Sequence, residues 1–142
     1  MNKCLLSSAV LAAVTAAIHL FAGGPDVVAP LLDSPLAVEP RLTLYAVWHM
    51  ATATMILSAA ALFVAASPRY ATASRFMVLF ISALWLSFGA VFLAIATLQP
   101  GTGLYLKLPQ WALLLPVGVL ALLGYNKSVD GTDKPPVIGA RQ

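Results

Sequence analysis

Two stretches decide how this chain folds: LLSSAVLAAVTAAIHLFA at residues 5–22 and LTLYAVWHMATATMILSAAALFVAA at residues 42–66. Each is long enough to cross the roughly 30 Å hydrocarbon core of a bilayer as a helix, which takes about 20 residues. Each also carries one of the only two histidines in the chain, His19 and His49. An ionisable side chain at the centre of a membrane helix costs about 2.5–3.5 kcal/mol on insertion scales, so it turns toward a protein interior or a cavity. The architecture is therefore written in the apolar residues, and any chemistry has to begin at the two imidazoles.

The rest of the chain agrees with a membrane reading. Of 142 residues, 61% are hydrophobic and only 9% are charged, and the mean hydropathy is +0.91. A soluble domain averages about 25% charged residues because its surface has to be solvated. Two more apolar runs follow, at residues 76–98 and roughly 109–125, the last interrupted by Pro116. None alternates in the manner of a membrane barrel strand. The expectation is an all-α integral membrane protein, an antiparallel bundle of four transmembrane helices over residues 1–126, followed by a disordered cytoplasmic tail at 127–142. Its shortest loop, Ser67 to Arg75, should make the second and third spans neighbours.

Orientation follows from Lys and Arg near the span ends. With the N-terminus inside, Lys3, Arg69, Arg75, Lys127, Lys134 and Arg141 fall inside and only Arg41 and Lys107 outside, six against two. Both termini are thus expected in the cytoplasm, with the bacterial inner membrane as the location. The first residues also resemble a secretory signal, with small residues at Ala13–Ala16. The apolar run continues through Ile18, Leu20 and Phe21, past that cut, which favours an uncleaved span. The net charge of +3 is scattered as topology signals and does not form a nucleic-acid-binding run. Cys4 is the lone cysteine, so neither an intrachain disulfide nor a CxxC redox pair is available.

The first outer loop, Gly23 to Arg41, places Pro25, Pro30, Pro35 and Pro40 five residues apart among Val27, Val28, Leu31, Leu32, Leu36 and Val38. A loop this apolar is expected to form short helical turns in the membrane interface or to cap one end of the bundle. Pro25 and Pro35 suit the first position of such turns, where a missing N–H is harmless. Trp48, Trp111, Tyr45, Tyr105 and Tyr125 fall where amphipathic rings settle at a membrane surface.

Helices in lipid approach closely where their residues are small. Helical spacing makes one stripe of Ser8, Ala12, Thr15 and His19 in the first span and another of Tyr45, His49, Thr52 and Ala59 in the second. In the third span Ala83, Ser87, Ala90, Ala94 and Thr97 form the clearest seam, and Ala112, Gly118 and Ala121 a looser one in the fourth. All four stripes are expected to face inward. At 1.5 Å rise per residue each histidine lies roughly 8 Å outward of its span centre, so the two should face one another.

His19 and His49 are the candidate cofactor-binding residues, with Tyr45, Thr15, Thr52, Gln99 and Gln110 around them. The plainest reading is structural: each imidazole bonds to a neighbouring helix. Axial ligation of haem b is a second reading, since imidazoles from two bundle helices commonly hold it. Two histidines are too few for zinc unless Glu39, Asp26 or Asp33 folds in from the loop, and copper would need Met50 or Met55, so metal binding is the weaker reading and no metal ligands are assigned. Nor does any Gly-x-Ser-x-Gly, His-Glu-x-x-His or Cys–His arrangement point to hydrolysis or a catalytic nucleophile. The expected role is a non-enzymatic accessory or scaffold subunit, packed in the bilayer as a homo-oligomer or against a membrane-protein partner. A redox protein using His19 and His49, facing haem or quinone, and an oligomeric small-solute transporter remain as alternatives. The fragments Ile18 to Gly24 and Val47 to Met50 have the look of motif residues.

Overall fold

The computed structural model describes residues 1–99 and 103–132, with side chains as far as Lys127. Among these residues the chain is helical and without strands. Helix α1 runs Lys3–Phe21, α2 Ala29–Leu32, α3 Val38–Ala65, α4 Arg75–Leu98, α5 Leu104–Lys107 and α6 Trp111–Thr132. Three of them, α1, α3 and α4, are long and apolar enough to cross a membrane. The apolar part of α6, Trp111–Lys127, is shorter. That helix continues to Thr132, beyond the expected end of the last span, and residues 133–142 of the expected tail lie outside the described residues.

α1 is the organising helix at one end of the molecule. The Asn2 side chain caps it, accepting from the N–H groups of Cys4 and Leu5 at 3.1 and 3.3 Å, donors that would otherwise have no partner. The same residue donates its backbone N–H to Ala66 O at 2.9 Å and its side-chain amide to Gly124 O at 2.7 Å. One residue thus ties the start of α1 to the end of α3 and to the far part of α6.

Packing along the helices is of two kinds. α6 packs against α4 and α1, and α1 packs against α3. Between α6 and its neighbours, consecutive carbonyls accept from opposite sides: Ser8 Oγ donates to Val117 O and Ser82 Oγ to Gly118 O, both at 2.8 Å and both buried. Each hydroxyl loses its water partner in the interior and recovers a hydrogen bond across a helix pair. Gly118 allows the α4–α6 approach, since a Cβ there would stand 2.7 Å from Leu86 Cγ and 3.0 Å from the Leu86 backbone N. The second and third spans, expected as close neighbours from their short connection, meet over few residues. The short loop does fix their ends, but the small faces of α1 and α6 attract the longer contacts.

The inward stripe of α1 is as expected, with Ser8, Ala9, Ala12, Thr15 and Ala16 buried. The α3 stripe is so from Thr52 through Met55, Ser58, Ala59 and Leu62. α4 overturns its expectation. Ala83, Ser87, Ala90, Ala94 and Thr97 are all exposed, and the buried face is Val78, Ile81, Ser82, Trp85, Gly89 and Ala96. Both faces of this helix are apolar, so hydrophobic periodicity does not separate them. A bulky Trp85, 1% exposed, fills the interior where small residues alone would leave a void. In α6, Gly118 and Ala121 are buried, whereas Ala112 is exposed.

The Pro-rich connection forms a π-helical turn at Gly24–Val28 with Pro25 at its start, then α2 with Pro30 in its first turn. Pro35 lies in a bend instead of starting a helix, and α3 begins at Val38. None of the residues in these two short elements is buried.

Candidate functional site

The two histidine-bearing fragments of the sequence meet. His19, near the end of α1, stacks on Trp48 of α3 with ring centroids 3.7 Å apart and planes 18° from parallel. His19 Nε2 lies 3.4 Å from Trp48 O, a long and weak hydrogen bond. A carbonyl only accepts, so the contact forms when Nε2 carries the proton, and Nδ1 is then the basic nitrogen. The same carbonyl accepts from Thr52 Oγ1 at 3.1 Å. Trp48 is thereby held against α1 through both its ring and its backbone.

Gly23 completes this contact. It follows His19 by four residues, on the same side of the chain's helical path. A Cβ at Gly23 would come within 2.5 Å of Trp48 Cη2 and 2.8 Å of Cζ2. The indole therefore lies across the backbone that follows the histidine, a position no larger residue leaves free. Stacked ring pairs contribute about 0.5–1.5 kcal/mol beyond their buried area, and the contact closes the α1–α3 interface at the end opposite the Asn2 cap.

His49 is placed differently. It is exposed, and its ring stands edge-on to Tyr45 of the same helix, centroids 4.5 Å apart at 84°. The expectation that His49 faces inward along the Thr52 stripe is overturned. Trp48, one residue earlier and about 100° around the helix, takes the position facing α1. A large planar indole covers more apolar area there than an imidazole would.

The surrounding candidates divide into two groups. Thr15 is buried but bonds back to Leu11 O of its own helix at 2.8 Å, and Thr52 bonds to Trp48 O, so both hydroxyls already have partners. Gln99 and Gln110 stand at the end of α4 and just before α6, in the other helix pair. Gln110 Oε1 is buried without a hydrogen-bond partner among the described residues.

The geometry favours a structural use of His19. Bis-imidazole haem ligation needs two ring nitrogens aimed at one iron across a flat space. Here one face and Nε2 of His19 are taken by Trp48, and His49 packs on Tyr45. The groove between α1 and α3 is lined by Ala13, Ala16, Ala17, Leu20, Ile56 and Ala59, without a histidine. It holds about 230 Å³, below the roughly 300 Å³ at which ordinary ligand pockets begin. No group of three or more His, Cys, Asp or Glu side chains is assembled among the described residues.

Sequence reasoning found both histidines and singled out the fragments that hold Gly23 and Trp48, but it assigned Trp48 to a membrane surface and gave Gly23 no role beside His19. A signal for them was present. Gly23 lies four residues after His19, and Trp48 precedes His49, so two fragments of unusual composition each offered one half of a ring-on-glycine contact. Comparison of the chain with protein-family models, with curated proteins and with solved structures finds no match.

Proposed function

We propose that this chain is a small integral membrane protein of four antiparallel spans, α6 having the shortest apolar stretch, that acts as a non-enzymatic accessory or scaffold subunit. It associates with a second copy of itself through the outer face of α4. The observation behind this reading is the direction of the α4 stripe. The inward polar groups Ser8, Ser82 and Asn2 all donate to backbone carbonyls of neighbouring helices. Ala83, Ser87, Ala90 and Ala94, the residues best suited to close helix approach in lipid, lie outside instead. Ser87 and Thr97 bond back to Ala83 O and Leu93 O of their own helix at 2.8 and 2.6 Å, so the stripe presents no unsatisfied hydroxyl to an apolar neighbour.

Lys3, Arg69, Arg75 and Lys127 belong to one end of the helices and Asp26, Asp33 and Glu39 to the connection at the other. That supports an orientation with both termini cytoplasmic, in a bacterial inner membrane. Labelling of Ser34→Cys by an impermeant thiol reagent checks it: reaction from the outer side is expected, and reaction only from the inner side reverses the orientation.

Association is tested by subunit counting in a bilayer, for example by single-molecule photobleaching. The wild type should show more than one copy per complex, and Ala90→Leu should shift the distribution to single copies. A wild type that is monomeric at all protein-to-lipid ratios, or an Ala90→Leu variant that associates equally well, removes the α4 face from the proposal.

A further inference from the structure

The end of the molecule tied together by Asn2 gathers basic side chains from four separate segments. Asn2 binds Ala66 O and Gly124 O. Lys3 follows it directly, Arg69 comes three residues after Ala66, and Lys127 three residues after Gly124. Arg75 reaches the same place from α4, with its guanidinium 5.8 Å from the ring centroid of Tyr125. Three of these basic residues are thus within three positions of a residue in the Asn2 hydrogen-bond cluster, and the fourth, Arg75, contacts Tyr125, the neighbour of Gly124. Among the described side chains every carboxylate is at the other end, in Asp26, Asp33 and Glu39. The next acids in the sequence, Asp130 and Asp133, lie beyond the described side chains.

Among the described side chains the two arginines have aromatic partners and no carboxylate partner. Arg69 lies over the ring of Tyr70 at 5.4 Å and Arg75 over Tyr125. A cation–π contact at such a distance takes up none of the guanidinium's N–H donors in a conventional hydrogen bond. Those donors match a phosphate, which a guanidinium binds with two parallel hydrogen bonds. The exposed surface of the adjoining helix ends is apolar: Phe63, near the end of α3, is 59% exposed, and Phe76, next to Arg75 at the start of α4, is 85% exposed. A free phosphate ion would gain nothing from such a border, whereas acyl chains would lie along it.

We infer that this basic end binds the headgroup of an anionic phospholipid, its phosphate engaged by Arg69 and Arg75, with Lys3 and Lys127 adding charge and the acyl chains running past Phe63 and Phe76. The inference rests on the membrane character of the long helices and is independent of the accessory role and of the α4 face. Each basic residue near a membrane surface strengthens the attraction to anionic lipid by about fivefold. The effect weakens with salt over a screening length of about 10 Å at 0.1 M.

The test is native mass spectrometry of the full chain in an uncharged detergent, titrated with phosphatidylglycerol or phosphatidylcholine of identical acyl chains. Phosphatidylglycerol should be retained several-fold better, and less so as salt is added before transfer. The double variant R69Q/R75Q should lower its retention about 25-fold, while R41Q/K107Q, at the other end, should leave it unchanged. Equal retention of the two lipids by the wild type, or undiminished phosphatidylglycerol retention in R69Q/R75Q, overturns the inference. Displacement of the lipid by an equal concentration of glycerol phosphate overturns it too, because it would make the site one for free anions. Helical circular dichroism monitors folding of the double variant. Should that variant lose helix, the headgroup and salt comparisons on the wild type decide by themselves.

Discussion

In α1 the small and hydroxyl residues Ser8, Ala12, Thr15 and Ala16 are buried against neighbouring helices, whereas in α4 the stripe Ala83, Ser87, Ala90 and Ala94 lies on the exposed side. The two stripes look alike in composition and spacing. They differ in how many helices each one has to accommodate. α1 packs on both α3 and α6, and narrow side chains on adjoining faces let two partners come close. α4 makes its extensive contact with α6 alone, and one mixed face of Trp85 with Ser82 and Gly89 is enough for that. A small-residue stripe therefore marks a face capable of close approach, but does not say whether the partner belongs to the same chain.

The sharpest challenge to this comparison is Ala12→Leu. Ala12 is 0% exposed, so three added carbons have no room, and overpacking of this kind costs about 1–3 kcal/mol. Unfolding of the solubilised protein by heat or denaturant should show a loss at the upper end of that range. An unchanged midpoint would mean that α1 is not enclosed. Gly118→Ala comes next. The helix-propensity gain of about 1 kcal/mol for Gly to Ala opposes a Cβ placed 3.0 Å from the Leu86 backbone, which a side-chain rotation cannot relieve. The net expectation is a loss of about 1 kcal/mol, and a stabilised variant would show that α4 and α6 stand further apart. The smallest effect belongs to Ala90→Leu, the counterpart of Ala12→Leu on the exposed stripe. Measured where the protein is monomeric, it should alter stability by no more than about 0.5 kcal/mol. A loss equal to that of Ala12→Leu would erase the distinction between the two helices.

His19 and His49 make the same point at the level of a site. Both could be picked out from the sequence because each is costly in hydrocarbon. The structure separates them: His19 is stacked and part-buried between helices, and His49 is exposed on Tyr45. What distinguishes them is Trp48, which occupies the α1-facing position that would have brought His49 inward. That outcome depends on the rotation of α3 about its axis, and a rotation of one residue position is invisible in a run where nearly every side chain is apolar. Gly23 is another case. Its lack of a side chain matters only because an indole from a residue 25 positions later lies across it.

The sequence by itself determined the helical content and the approximate extent of the long apolar helices, three of which are long and apolar enough to cross a membrane. Transfer between water and hydrocarbon is a property of each residue and adds up along a run. It also determined which ends of those helices carry the basic residues. Only the tertiary structure decided that α1 and α6 make the main contacts, that the α4 stripe points outward, and that Trp48 lies between His19 and Gly23. Those choices are made between an apolar interior and an apolar exterior, where the hydrophobic effect gives no preference. Side-chain volume decides them instead, together with a few hydrogen bonds to backbone carbonyls, and both depend on residues far apart in the chain.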